Sequence, residues 1–384
     1  MTLLLALTSG LLFAASFPDL SAGWLMFVAF LPLLIAVARA GSGWQAFFLG
    51  WTSHTLAWLI MVPWVIRVMS HYGGLPYVTG VLIYVAMAAI LGLYGGLFTA
   101  IVHRIGPRSL PRWLLVPLVW AAVEYLRTYF LTGFPWNLVA TAIVDYTPLI
   151  QIGRFAGPYF VAALILLPSA VAGWVITTKP RRVPAALVAG ATIIVLFVWW
   201  ATGLVASRLV VRPTGARPAV AALLQPNISQ EMRWDAENLL LIFRRMMDMT
   251  EEAVAAGASV VIWPESTVPL SYSTTPFYRA AIEAVSARHG VDIILGSVAE
   301  DRERPAHIWN AAFLVSGGET IGRYDKIKLV PFGEYVPLRR MLFFADKLVR
   351  AVGDFQFGTN DRPLRGRFAY GPAICYEIVF PQIP

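Results

Sequence analysis

Seven long apolar stretches fill the first half of this chain, at about 3–17, 22–38, 44–66, 77–102, 112–126, 156–177 and 184–205. A membrane-spanning helix needs ~20 largely apolar residues, with ~17–25 usual. Four stretches meet that comfortably, whereas the first, second and fifth are short and lean on flanking Ser, Gly or Trp. Composition agrees: 58% of the 384 residues are hydrophobic, 14% are charged, and the mean hydropathy is +0.65. An average soluble domain carries about 25% charged residues, so an ordinary cytosolic domain, a disordered chain and a fibre are all excluded. Residues 3–17 could be a signal-peptide core, but no Lys or Arg precedes them. Pro18-Asp19 followed by Ser21-Ala22-Gly23 reads better as the turn of a helical hairpin.

The net charge of +8 suggests nucleic acid until it is divided by position. Residues 1–205 carry ten Lys and Arg against three acids (Asp19, Glu124, Asp145), a balance of +7; residues 206–384 carry twenty against nineteen, a balance of +1. A nucleic-acid-binding domain would place its basic patch on the soluble part, so that partner is excluded. With the N-terminus inside, the inside loops hold seven basic residues (Arg39, Arg104, Arg108, Arg112, Lys179, Arg181, Arg182) and the outside loops three (Arg67, Arg127, Arg154). The positive-inside rule favours that orientation. Seven crossings then put everything after about residue 206 outside, which in a Gram-negative cell is the periplasm.

Past Arg212-Pro213 charges of both signs appear and the pattern changes. Strands are expected at 219–224, 260–263, 291–295, 310–316 and 320–328, with a last one near Ala373–Tyr376; helices are expected at 235–256 and 276–289. Short buried strands alternating with helices indicate a layered α/β domain. The organisation is a transmembrane domain over 1–205, a linker over 206–218 and an α/β domain over 219–384. Residues 338–350 read as a basic amphipathic helix, suited to a membrane interface or to packing on its own domain.

Three segments carry residues able to do chemistry. Glu265, in Trp263-Pro264-Glu265, closes an apolar strand, where α/β sheets place their sites; there it could serve as a general base, or simply cap a helix or pair with an Arg. In Tyr324-Asp325-Lys326-Ile327-Lys328-Leu329-Val330-Pro331-Phe332-Gly333-Glu334, Lys326 could hold an oxyanion and a Pro-Gly turn would present Glu334; the alternative is a solvated strand end. Cys375 is the only thiol, which excludes a disulfide scaffold and a Cys-based zinc site. As a nucleophile it needs a base and a cation nearby, with Glu265 and Lys326 available and His289 a weaker candidate; otherwise it is an inert core residue.

Trp-Pro-Glu, then Tyr-x-Lys-x-x-Leu-Val-Pro-Phe-Gly-Glu, then Cys-Tyr-Glu, in that order, resembles the Glu-Lys-Cys triad of the nitrilase superfamily. Behind a multi-helix membrane part, such a domain resembles the bacterial apolipoprotein N-acyltransferase family. Trp234-Asp235 after Asn227-Ile228-Ser229-Gln230, and Thr132-Gly133-Phe134-Pro135-Trp136, extend the match. The resemblance implies a transmembrane helical domain plus a nitrilase-like αββα sandwich on the periplasmic side of the inner membrane. It implies Glu265 as base, Cys375 as nucleophile and Lys326 as oxyanion holder. Glu334, Glu377 and Tyr376 would support them, with Trp234 and Trp136 against substrate. The implied donor is phosphatidylethanolamine or a similar membrane phospholipid. The acceptor is the α-amino group of a diacylglyceryl apolipoprotein, reached through a thioester, and no metal or organic cofactor is implied. Superfamily members continue well past the nucleophile, whereas this chain stops nine residues after Cys375; the resemblance therefore implies a C-terminally incomplete enzyme, weakly active or inactive as it stands.

Two other readings compete. A membrane-tethered nitrilase-type amidase would use the same triad on a small amide, but seven spans would be needless for a soluble substrate. A transporter or receptor is disfavoured, because the spans hold few ionisable residues, chiefly His54, Arg67 and Glu124.

Overall fold

The computed structural model describes residues 1–384 apart from 18–19, 21, 210–218, 229–237, 269–270, 302, 305–306, 337–354 and 384. The hairpin turn expected at 18–19, Trp234-Asp235, most of the 206–218 linker and the amphipathic helix expected at 338–350 lie outside the described residues. The chain divides into two compact units, Met1–Val211 and Arg212–Pro384.

The first unit is helical. Tyr77–Ile105, Gly153–Thr178 and Pro184–Arg208 are long and apolar enough to cross a membrane; Gly43–Met61 with Trp64–Tyr72 makes a fourth candidate, bent by 57°. These are the four stretches that were full-length in the sequence. The bend follows from Val62, which leaves helical geometry at φ −127°, and from Pro63, which has no N–H to continue the ladder. The short stretches form short helices. The first is Thr2–Ala15, the second breaks into Gly23–Leu25, Met26–Ala29 and Leu31–Ala38, and the fifth divides into Leu110–Leu114 and Val116–Tyr129, with Pro117 opening the latter.

Small residues bring Gly43–Met61 and Tyr77–Ile105 into backbone contact. A Cβ on Gly95 would stand 2.4 Å from the His54 ring, and one on Gly50 would stand 2.2 Å from the Gly95 carbonyl oxygen. Thr99 Oγ1 donates to the Ala46 carbonyl at 2.7 Å across the same seam. Close approach through Gly and Thr is how helices pack when apolar side chains gain nothing by leaving lipid.

One expectation is corrected in this unit. Arg127 is not a loop residue; it lies within Val116–Tyr129 and is buried, one turn after the equally buried Glu124. Its guanidinium donates to the Phe134 and Trp136 carbonyls, both at 2.7 Å, stands 3.5 Å from Glu124 and covers the Trp58 ring at 5.1 Å.

The second unit is built on a five-stranded mixed sheet in the order β1 (Ala221–Leu223), β2 (Val260–Ile262), β3 (Asp292–Glu300), β4 (Ile308–Ser316) and β5 (Glu319–Asp325). The β1, β2 and β3 strands are parallel, connected through the helices Leu239–Ala255 and Pro276–His289; β3, β4 and β5 run antiparallel. Gly317 and Gly318, both at positive φ, make the two-residue β4–β5 turn, the backbone that such hairpins require. Along β4, Ala311, Phe313 and Val315 pack with the helical residues Phe243, Met246 and Ile282. Ala312 and Leu314 face Tyr324, Leu364 and Ile374. Both faces of the strand are therefore covered, which explains its nearly continuous apolar run.

Two strand expectations change. Asp325 ends β5, and the N–H groups of Ile327 and Lys328 turn to the Glu377 carboxylate instead of a strand partner. Residues near Cys375 form no strand; Cys375–Val379 is a single 3-10 turn, with Cys375 at φ +51°. Glu377 explains this turn too, because its other oxygen accepts the Ile374 N–H at 2.8 Å and curls the chain.

Candidate active site

The base candidate arrives from β2. Trp263 extends the parallel ladder by donating its N–H to Ile294, and its indole donates to Thr250 Oγ1 at 3.0 Å. The chain then turns at Pro264, Ser266 takes φ +52°, and Thr267 N–H donates to the Gly296 carbonyl at 3.1 Å. Glu265 thus stands at the C-terminal end of a parallel strand, its side chain 35% exposed.

Two further groups meet it. Lys326 directly follows β5, and its ammonium, 1% exposed, donates to Glu334 Oε1 at 2.9 Å and stands 3.6 Å from Glu265 Oε1. Glu334 closes the turn after Pro331, where Phe332 takes φ +61° and the N–H groups of Gly333 and Glu334 both point to the Val330 carbonyl. Its second oxygen accepts the Val330 N–H at 2.8 Å, so the carboxylate fastens its own turn. Buried Asn310, on β4, donates from Nδ2 to Glu265 Oε1 at 2.6 Å and to Glu334 Oε1 at 2.8 Å. One buried cation therefore stands between two carboxylates, and a neutral amide bridges the same pair.

Cys375 opens the 3-10 turn and is exposed. Its thiol is nevertheless pushed up from the usual range. Burial of the sulfur's surroundings is the largest cause and the Glu265 charge the next; Lys326 opposes, Glu334 adds, and a hydrogen bond from the Tyr376 N–H favours the thiolate. The thiol therefore feels all three charges of the cluster. Glu377, fully buried, accepts from the Tyr324 hydroxyl at 2.9 Å and from three backbone N–H groups, those of Ile327, Lys328 and Ile374. Chemically, the arrangement offers a nucleophile, a carboxylate able to take its proton, and a fixed ammonium for developing negative charge.

The two halves of the sequence match two family models: residues 9–171 match the apolipoprotein N-acyltransferase N-terminal domain, and residues 220–384 match carbon-nitrogen hydrolase. The apolipoprotein N-acyltransferase of Geobacter metallireducens is 34% identical over 388 residues, a match covering 99% of this chain and 74% of that protein. The chain belongs to the apolipoprotein N-acyltransferase family. Family relatives from Methylococcus capsulatus, 31% identical with 99% of this chain and 74% of the relative covered, and from Azotobacter vinelandii, 30% identical with 94% and 70% covered, agree. A small-amide amidase is not favoured by these matches.

In this member of the apolipoprotein N-acyltransferase family, the other expected residues separate into groups. Tyr376 follows Cys375 and packs edge-on against Phe380 at 5.1 Å. Trp136 belongs to the first unit, where its ring stacks on Phe134 and tilts against Trp64 at 5.4 Å. Trp234 is outside the described residues. His289 ends its helix and pairs with Glu251 at 2.8 Å. Among the described residues, no group of His, Cys, Asp and Glu is arranged to hold a metal ion. Sequence reasoning missed Asn310; its signal was a lone amide in the run Trp309–Val315, otherwise free of polar side chains.

Proposed function

We propose that this chain is an apolipoprotein N-acyltransferase working through a thioester on Cys375. Glu265 takes the Cys375 proton as Sγ bonds to the sn-1 ester carbonyl of phosphatidylethanolamine or a similar phospholipid. Lys326 stabilises the oxyanion, the ester C–O bond breaks, and the proton passes from Glu265 to the departing lysophospholipid. The α-amino group of a diacylglyceryl cysteine then attacks the thioester, gives its proton to Glu265 and expels the thiolate. The observation that carries this reading is the buried Lys326 ammonium between Glu265 and Glu334, with the Cys375 thiol in the field of all three. Glu334 and Glu377 support the triad, while Tyr376, Trp136 and Trp234 are read as substrate walls.

The proposal includes a multi-pass position in the bacterial inner membrane, with residues 219–384 on the periplasmic side as part of an αββα sandwich. Seven basic residues on the inside against Arg67 and Arg154 outside, with the buried Arg127 set aside, support that orientation. Two lipid-anchored substrates make it sensible, because lateral diffusion replaces a three-dimensional search.

Intact mass spectrometry after incubation in phosphatidylethanolamine bilayers tests the reading. A fatty-acyl mass that is removed by hydroxylamine and absent from Cys375→Ser is expected. An adduct that survives in Cys375→Ser, or one that hydroxylamine does not remove, would overturn it.

A further inference from the structure

We propose that Asn310 is a positioning residue for the general base: its amide clamps the Glu265 and Glu334 carboxylates together and aims Glu265. The inference rests on the reading of Glu265 as that base. Asn310 is 4% exposed, and a single nitrogen of its side chain spans the two carboxylates, at 2.6 and 2.8 Å. Its Oδ1 is buried and without a hydrogen-bond partner, so the two carboxylates alone fix the orientation of the amide. Reversal would set an acceptor against both carboxylate oxygens. The Asn310 backbone carbonyl also accepts the Lys326 N–H at 2.9 Å, so one residue fixes the base, its carboxylate neighbour and the cation.

Charge accounting explains why a neutral donor suits this position. Glu265 and Glu334 carry two negative charges against the one positive charge of Lys326. A hydrogen bond donated to a carboxylate favours its ionised form. A second cation would do the same, but would also quench the negative charge that must attract the thiol proton. Asn310 supplies the donors and leaves one net negative charge on the cluster. Its place in β4 is otherwise hard to explain, because the residues between it and Ser316 are all apolar and an amide in such a run is costly unless bonded.

The test is the pH dependence of the pre-steady-state burst of p-nitrophenolate from p-nitrophenyl butyrate. In that reaction Sγ bonds to the acyl carbon, the acyl C–O bond breaks to release p-nitrophenolate, and the thiol proton goes to the base. In Asn310→Leu the acid limb of the burst rate should move up by about one pH unit, a ~10-fold loss of rate below both midpoints. Asn310→Ser, whose hydroxyl donates one hydrogen bond instead of two, should fall between, and keeps the test alive if the Leu variant does not fold. Glu265→Gln should lose the acid limb altogether. Acid limbs of Asn310→Leu and Asn310→Ser that coincide with the unsubstituted chain, at any amplitude, would show a purely structural role and overturn the proposal. An acid limb that persists in Glu265→Gln would instead remove the base reading beneath it.

Discussion

Gly296 of β3 lies directly beneath Glu265: a Cβ built on this glycine would stand 2.7 Å from the Glu265 Cα and 2.8 Å from the Pro264 carbonyl oxygen. The atoms it would meet are backbone, so they cannot swing aside. Gly296→Ala should therefore displace the turn that carries Glu265, the proposed base, while leaving the sheet paired. Misplacement of a catalytic group by ~1 Å can cost about 100-fold in rate. The ester burst should fall by roughly that factor with the far-ultraviolet circular dichroism unchanged. An unaltered burst rate would mean that the turn relaxes freely.

Glu377 should be the most costly carboxylate of the second unit to replace. It is fully buried and receives four hydrogen bonds, three from backbone N–H groups. Glu377→Gln sets an amide donor against those donors and leaves at least one of them unpaired. A destabilisation of about 3 kcal/mol is expected, read as a lower thermal midpoint in detergent. Glu334→Gln keeps an acceptor towards Lys326 at the same position and should cost less.

Cys375 should respond oppositely to two reagents when Glu265 is neutralised. Burial first, then the Glu265 charge, hold the thiol above its ordinary range, against the pull of Lys326. A raised pKa means that the thiolate, the form that alkylates, is scarce at neutral pH and grows as pH rises past the ordinary thiol value. Iodoacetamide labelling should accordingly be slow at pH 7 and climb through pH 9. Glu265→Gln removes a negative charge, lowers the thiol pKa and should speed labelling at pH 8 by roughly threefold or more, about half a pH unit. The same substitution should slow the ester burst and remove its acid limb. Because the chain has one cysteine, labelling reports on this thiol alone.

In the first unit, Arg127 and Glu124 should be worth less together than their separate removal suggests. Arg127→Met frees two buried carbonyls and strands Glu124, whose Oε2 already has no hydrogen-bond partner. Breaking a buried pair by removing one partner costs ~3–5 kcal/mol. Arg127→Met combined with Glu124→Gln should recover part of that loss in thermal melts, giving a favourable coupling term. Strict additivity of the two single effects would show that the pair does not act as a unit.

The sequence announced much of this molecule, but unevenly. The four long spans, the alternation of strand and helix after residue 219 and the three motif segments were legible because periodicity and local motif are properties of neighbouring residues. The bend after Met61 was not, since a proline within an apolar stretch signals a kink or an end equally well. Cys375 was expected on a strand because Pro372-Ala373-Ile374 is apolar; its turn is imposed by Glu377, which reaches back to residues 327 and 328. Asn310 escaped notice because its meaning lies in two carboxylates 45 and 24 residues away. Arg127 was placed in a loop because a charge near the end of an apolar stretch normally seeks water, and its partners one turn back and seven and nine residues ahead are visible only once folded.

The four-armed grip of Glu377 has a mechanical consequence. The backbone leading into Cys375 and the backbone leaving Lys326 are riveted to the same side chain. Displacement of one therefore drags the other, and the separation between sulfur and ammonium is insulated from breathing of the strands beneath. On the proposed mechanism, pressure from the acyl chain or the incoming amine on the loop that carries Cys375 would carry Lys326 along with it, so that the geometry needed for the second half-reaction survives the disturbance that the first one creates.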